Sequence, residues 1–106
     1  MITIQSALRS LNVTGKYKGF RYTGTALKLI LEDEDWLTNL SRKLYPHIAD
    51  QYQCTPKSVE DDIRYVSHKV WKVHQTVLEK ISKRTWYKAP SNIEFLTMIY
   101  NYIKRS

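Results

Sequence analysis

The sequence is short of cysteine, glycine and proline. Its 106 residues include one cysteine, three glycines and three prolines. The lone Cys54 cannot form an internal disulfide, and we interpret it as a small residue in a turn with no redox role. So few glycines and prolines argue against the frequent turns of a β-sandwich, and apolar spacing in segments such as 26–31 and 93–100 favours helices. We therefore predict an all-α fold.

Long apolar runs are also missing. No stretch approaches the roughly 20 apolar residues that cross a bilayer, and residues 1–6 lack the basic start and apolar core of a secretory signal. We expect a cytoplasmic protein with no membrane partner. A chain of this length, 42% hydrophobic, can bury one core but hardly two, so residues 1–106 are predicted to form a single domain.

The patterns that enzymes need are absent from the sequence. No glycine-rich phosphate loop occurs, and no nucleophile has a base at useful spacing. The residues that could bind a metal lack ligand spacing: His47, His68, His74 and Cys54. Three tryptophans are expected to be core residues with polar tips rather than base-stacking platforms: Trp36, Trp71 and Trp86. We predict no catalysis, metal or cofactor.

Positive charge is plentiful. Seventeen Lys and Arg residues oppose ten Asp and Glu, giving a net charge of +7, which suits a polyanionic partner. Before residue 32 there are five basic residues and no acid: Arg9, Lys16, Lys18, Arg21 and Lys28. The acids gather at 32–35, a run that we interpret as a solvated helix end or cap.

Helix signals divide the first half of the chain. The sequence predicts a short helix from Ile4 to Leu11, then a turn over 12–19 in which glycines allow unusual backbone angles. A second helix is predicted from Thr23 to Leu31. Another is predicted to start near Asp35 and end before Pro46, because the residue before a proline avoids helical geometry.

Residues 46–66 have the spacing of two helices joined by a tight turn. Ala49 is the small residue where crossing helices approach closely, and Gln53 lies at the turn. Thr55 can cap the second helix, with Pro56 in its first turn. This pattern predicts a helix-turn-helix and points to DNA. An ordinary helical hairpin is the alternative.

The second helix of this motif has two distinct sides. At 100° per residue, Val59, Ile63, Val66 and Val70 form one apolar stripe. The opposite side, which we term the outer face, carries Lys57, Asp61, Arg64, His68 and Lys72. Arg64 could contact guanine or phosphate, whereas carboxylates repel phosphate unless one accepts a hydrogen bond from cytosine. The predicted DNA-contacting residues are Thr55, Lys57, Ser58, Glu60, Asp61, Arg64, Tyr65, His68 and Lys72.

From Ile4 to Trp71 the sequence resembles a known family, the C-terminal DNA-binding effector domain of the sporulation response regulator, stage zero sporulation protein A, of endospore-forming bacteria. The shared motifs are Lys18–Phe20, Leu44–Ala49, Val59–Glu60, Ile63–Arg64, Trp71 and Pro90–Phe95. The resemblance implies about six helices, binding of promoter DNA in the major groove and a place on the bacterial nucleoid. It also implies pairing of copies on tandem sites and RNA polymerase or a sigma factor as a partner.

Two departures from the family pattern matter. The family usually carries arginine where this chain has Ser58 and Asp61, so DNA binding transfers better than the target sequence. The family also has a phosphorylated receiver domain ahead of the effector domain, whereas this sequence begins with the effector-like domain. We expect either a cut piece or a free-standing relative. The region between Trp71 and Pro90 matches less well, which affects the family's dimer contacts.

Two functions follow as hypotheses. The first is a sequence-specific binder of double-stranded DNA that regulates transcription. The alternative is a protein-interaction module that pairs with or antagonises a related full-length regulator, suggested by the acids Asp61 and Asp62.

Overall fold

The computed structural model of the protein describes residues 1–105 and contains six α-helices. They are α1 (Ile4–Ser10), α2 (Gly19–Glu32), α3 (Tyr45–Tyr52), α4 (Pro56–Val73), α5 (Gln75–Ser82) and α6 (Asn92–Lys104). A 3₁₀ turn (Glu34–Thr38) and a π-helical turn (Leu40–Leu44) lie between α2 and α3. No strand occurs in residues 1–105, which confirms the predicted all-α fold of about six helices.

The first and last helices begin with reciprocal caps. Thr3 Oγ1 accepts a hydrogen bond from Ser6 N–H at 3.0 Å, and Ser6 Oγ accepts one from Thr3 N–H at 2.8 Å. Ser91 and Glu94 make the same exchange at the start of α6. Such pairs satisfy N–H groups that have no partner inside the helix. Both starting points are therefore fixed by local sequence.

α2 begins at Gly19, earlier than the Thr23 that the sequence predicts. Gly19 lies where α2 crosses α4. A Cβ atom on Gly19 would overlap the carbonyl oxygen of Asp62 and lie 2.7 Å from Val66 Cγ2. The two backbones can approach this closely because glycine has no side chain. Tertiary contact, rather than local helix signal, sets this end of α2.

The glycines between α1 and α2 do not use the unusual backbone angles that they allow. No described glycine has a positive φ. Asn12 takes the left-handed conformation instead, with φ 61°, directly after the end of α1. Asparagine tolerates this region because its short polar side chain can hydrogen-bond locally.

The helix predicted from Asp35 to just before Pro46 does not form. Two shorter turns replace it, each with its own cap. Asp33 Oδ1 accepts a hydrogen bond from Asp35 N–H at 3.0 Å, as expected for an acidic run at a helix end. Asn39 Oδ1 accepts one from Arg42 N–H at 3.3 Å. Asn39 has φ −153° and ψ 74°, and this non-helical residue interrupts the segment.

Pro46 does not separate two helices. The π-helical turn leads directly into α3, where Tyr45 is the first residue and Pro46 the second. Tyr45, expected to avoid helical angles, has φ −62° and ψ −44°. Its N–H donates to Leu40 O, five residues back. A proline in the first turn fits because its fixed φ is already helical.

α6 packs under the helix-turn-helix and supports it. Phe95 is fully buried in the core. Asn92 Nδ2 donates to the Tyr45 hydroxyl on α3 and to Glu60 O on α4, both at 3.0 Å. Burial raises the pKa of the Tyr45 hydroxyl, so it stays neutral in this contact. Ser67 Oγ, also buried, donates to the carbonyl just before α6 at 2.7 Å. α6 thus ties α3 and α4 together.

The tryptophans contribute to the core and to its edge. Trp86 is buried and its Nε1–H donates to Ser82 Oγ at 2.8 Å. Trp71 is half-buried and donates to Trp86 O at 3.1 Å. Trp36 packs against the ring of His47, with centroids 5.0 Å apart. Trp86 is a core residue, as predicted, whereas Trp71 lies at the edge of the core.

Candidate nucleic-acid interface

The predicted helix-turn-helix is present as α3, a tight turn and α4. Ala49 is buried in the middle of α3, as expected for close helix crossing. Gln53 makes the turn with left-handed angles, φ 57° and ψ 48°. Thr55 Oγ1 accepts a hydrogen bond from Ser58 N–H at 3.1 Å and caps α4. This arrangement holds α4 so that one of its sides faces solvent.

The two sides of α4 match the sequence prediction. Val59, Ile63, Val66 and Val70 are all buried in the core. On the outer face, Lys57, Arg64, His68 and Lys72 are exposed and Asp61 is half-exposed. The helix therefore presents a charged surface about five turns long to solvent.

Ion pairs join the charged residues of the first half of the outer face. Asp61 Oδ1 accepts a hydrogen bond from Arg64 Nη1 at 3.1 Å, and Asp61 Oδ2 lies 3.3 Å from Lys57 Nζ. Arg64 Nη2 also lies 3.3 Å from Glu60 Oε2. The four predicted DNA-contacting side chains are brought together. Lys57 and Arg64, the two basic groups that a phosphate or base would contact, are therefore already paired with carboxylates.

The second half of the outer face is unpaired. His68 and Lys72 have no ion pair or hydrogen-bond partner among residues 1–105. Neither has an acid one turn before it on the same face, because the acids of α4 end at Asp62. A ligand could contact these two side chains without first displacing a carboxylate of the protein.

The two hydroxyl groups at the start of α4 contact each other. Thr55 Oγ1 donates to Ser58 Oγ at 3.0 Å as well as capping the helix. Thr55 is therefore committed to the turn, while the Ser58 hydroxyl keeps its own proton for another acceptor.

A tyrosine pair borders the outer face and was not predicted. Tyr65 is 52% exposed, and its ring lies 6.2 Å from that of Tyr17, centroid to centroid, at 59°. Tyr17 comes from the turn before α2. Its position between Lys16 and Lys18, in a segment with no acid, could have marked Tyr17 as a surface candidate, although not as a neighbour of Tyr65.

An open cleft of about 540 Å³ separates that turn from α4. Its lining includes Tyr17, Lys18, Arg21, Tyr22, Ser58 and Asp62. Asp62 thus faces α2, unlike Asp61 on the outer face. A hydrogen bond with the Cys54 thiol raises the pKa of Tyr22, so this phenol remains neutral and adds no negative charge.

Within residues 1–105, no three His, Cys, Asp or Glu side chains are grouped so as to hold a metal ion. No helix of this part of the chain is both long and apolar enough to span a membrane.

One protein family matches the chain over residues 4–103, and its description is "Sporulation initiation factor Spo0A C terminal". The match covers nearly the whole sequence. It also includes the region between Trp71 and Pro90, which resembles the family pattern less closely.

Proposed function

The chain belongs to the family of Spo0A C-terminal domains, DNA-binding effector domains of transcription regulation in sporulation, and from this we propose that it binds double-stranded DNA sequence-specifically. α4 enters the major groove with its outer face towards the bases. The family is a DNA-binding one rather than a catalytic one. We propose that residues 1–106 act as one helix-turn-helix domain.

The position of Arg64 carries this proposal. It lies near the middle of the exposed side of α4, within a helix-turn-helix whose inner side is fully buried. An arginine at such a point can donate two hydrogen bonds to the O6 and N7 atoms of guanine. Lys57 and Lys72, towards the two ends of the same face, are placed to meet phosphates.

Selection of binding sites from random duplex DNA tests the proposal. We expect one sequence to be enriched over competitor DNA at moderate salt. If no sequence is enriched, the protein-interaction alternative is favoured. Asp61 on the outer face and Glu60 beside it would then be contacts for a basic protein surface.

Arg64→Ala is expected to weaken binding to the selected site by about 1–3 kcal/mol and to relax preference at one base pair, because a bidentate contact is lost. Affinities for all single-base variants of the site measure both effects. Arg9→Ala, which removes an exposed arginine from α1, is the matched control and should leave the preferences unchanged. If Arg64→Ala keeps every base preference, Arg64 does not contact a base.

Asp61→Asn is expected to strengthen binding to any duplex, because Lys57 and Arg64 lose the carboxylate that competes with phosphate. If the released Lys57 holds one phosphate, affinity should rise about fivefold at 0.15 M salt. Glu32→Gln makes the same charge change at the exposed end of α2 and should have little effect. A loss of affinity in Asp61→Asn, confined to sites with one particular base pair, would instead show that Asp61 accepts a hydrogen bond from cytosine.

We extend the proposal to two copies bound side by side on repeated sites, and to contact with RNA polymerase or a sigma factor, as the family implies. Titration of duplexes that carry one or two selected sites tests the pairing. Cooperative binding that depends on the spacing of the sites is expected.

A further inference from the structure

We propose that the turn before α2 is a second DNA contact, in which Lys16 and Lys18 hold phosphates of the strand that borders the groove entered by α4. We call residues 14–18 the basic turn. This inference rests on the proposed function, since it takes α4 to be the helix in the groove. It adds a surface from another part of the chain.

Two contacts hold the basic turn beside α4. Gly19, the next residue, lies directly against the Asp62 carbonyl of α4, with no room for a side chain. Tyr17 packs its ring on Tyr65, which borders the outer face. The backbone of the turn is therefore fixed along one flank of α4. Lys18 sits between these two anchors, one residue from each.

The charges of the basic turn are free for a partner. Lys16 and Lys18 are exposed, and neither forms an ion pair within residues 1–105. On the outer face, in contrast, Lys57 and Arg64 are already paired with carboxylates. The basic turn is thus the better source of uncompensated positive charge near the first half of α4. Phosphate contacts of this kind fix the register of a protein on the duplex.

The cleft between the basic turn and α4 is open and wide enough for a phosphate group. Lys18 lines it, as does Arg21, whose guanidinium lies 5.0 Å from the ring centroid of Tyr52. Ser58 lies on the opposite side and offers a hydroxyl proton. Asp62 is the one acid among the lining residues. Two cations and a hydroxyl donor against one carboxylate favour an anion in this cleft.

The test is the salt dependence of DNA binding by the double variant Lys16→Gln/Lys18→Gln. Binding is measured at several salt concentrations on two fixed duplexes, the selected site and a scrambled version. Each lost phosphate contact should make the slope of log affinity against log salt shallower by about 0.9 and cost about fivefold in affinity at 0.15 M salt. The loss should be similar on both duplexes, so the ratio of the two affinities stays unchanged.

The control is Lys80→Gln/Lys104→Gln, which removes two exposed lysines from α5 and α6. It changes net charge equally but should keep the wild-type slope. Thermal unfolding of all three proteins shows whether the fold is intact. An unchanged slope in Lys16→Gln/Lys18→Gln, or the same loss in both double variants, would overturn the inference.

Failure of this inference can be distinguished from failure of the proposed function. If Arg64→Ala alters base preference while Lys16→Gln/Lys18→Gln keeps its slope, the basic turn is not a contact and the function of α4 stands. If the salt dependence of binding becomes shallower in Lys16→Gln/Lys18→Gln while Arg64→Ala changes no base preference, the basic turn binds phosphate and Arg64 does not select the sequence. Should no sequence be enriched, the scrambled duplex still decides the role of the lysines.

Discussion

Gly19→Ala is expected to destabilise the protein by about 3 kcal/mol, at the upper end of the usual cost of overpacking. The added methyl group would meet the carbonyl oxygen of Asp62 and the side chain of Val66. A backbone oxygen in the middle of a helix cannot move aside, so α2 and α4 must separate. Urea denaturation measures the loss as a lower free energy of unfolding.

Gly24→Ala provides the matched control in the same helix. Its Cβ would lie 4.0 Å from Leu8 Cδ1, an ordinary contact distance. Since alanine favours helix over glycine, this variant should gain up to about 1 kcal/mol. The two substitutions should therefore have opposite signs. Equal effects would contradict the close crossing of α2 and α4.

Phe95→Ala should have the largest effect on stability, about 3–5 kcal/mol. Phe95 is fully buried in α6, under the helix-turn-helix, and its removal leaves a cavity. A domain of this size has roughly 5–15 kcal/mol of total stability, so much of it would be lost. Chemical denaturation measures the change, and weaker DNA binding on warming should accompany it.

Ile93→Ala, two residues earlier in α6, is the control. Ile93 is 45% exposed, so its truncation removes less buried surface and should cost well under half as much as Phe95→Ala. If both variants lose the same stability, the core does not depend on the inner side of α6 as described.

The parts of the fold that were predicted correctly depend on local signals. α4 combines a cap at Thr55, a proline at Pro56 and four valine or isoleucine residues at helical spacing, and each of these is visible in the sequence. The position of the turn at Gln53 and the burial of Ala49 follow from the spacing of the same motif.

The features that sequence analysis missed depend on distant contacts or on irregular geometry. The early start of α2 at Gly19 requires knowledge of α4, far along the chain. The 3₁₀ and π turns over 34–44 have periods unlike that of an α-helix, so apolar spacing does not reveal them. Tyr17 could not be placed beside Tyr65 because nothing in either local sequence indicates the other.

The carboxylates around Arg64 bear on how the protein searches a genome. Asp61 and Glu60 act as counterions that belong to the protein and cannot diffuse away. Under the proposed function, every DNA encounter through Arg64 would have to replace them, and this cost would be the same at every position. A guanine in the right place would offset it with two hydrogen bonds to the guanidinium. Because the cost is uniform, it lowers absolute affinity at the target and elsewhere by the same factor, shortens residence at every position and leaves the preference for the target unchanged.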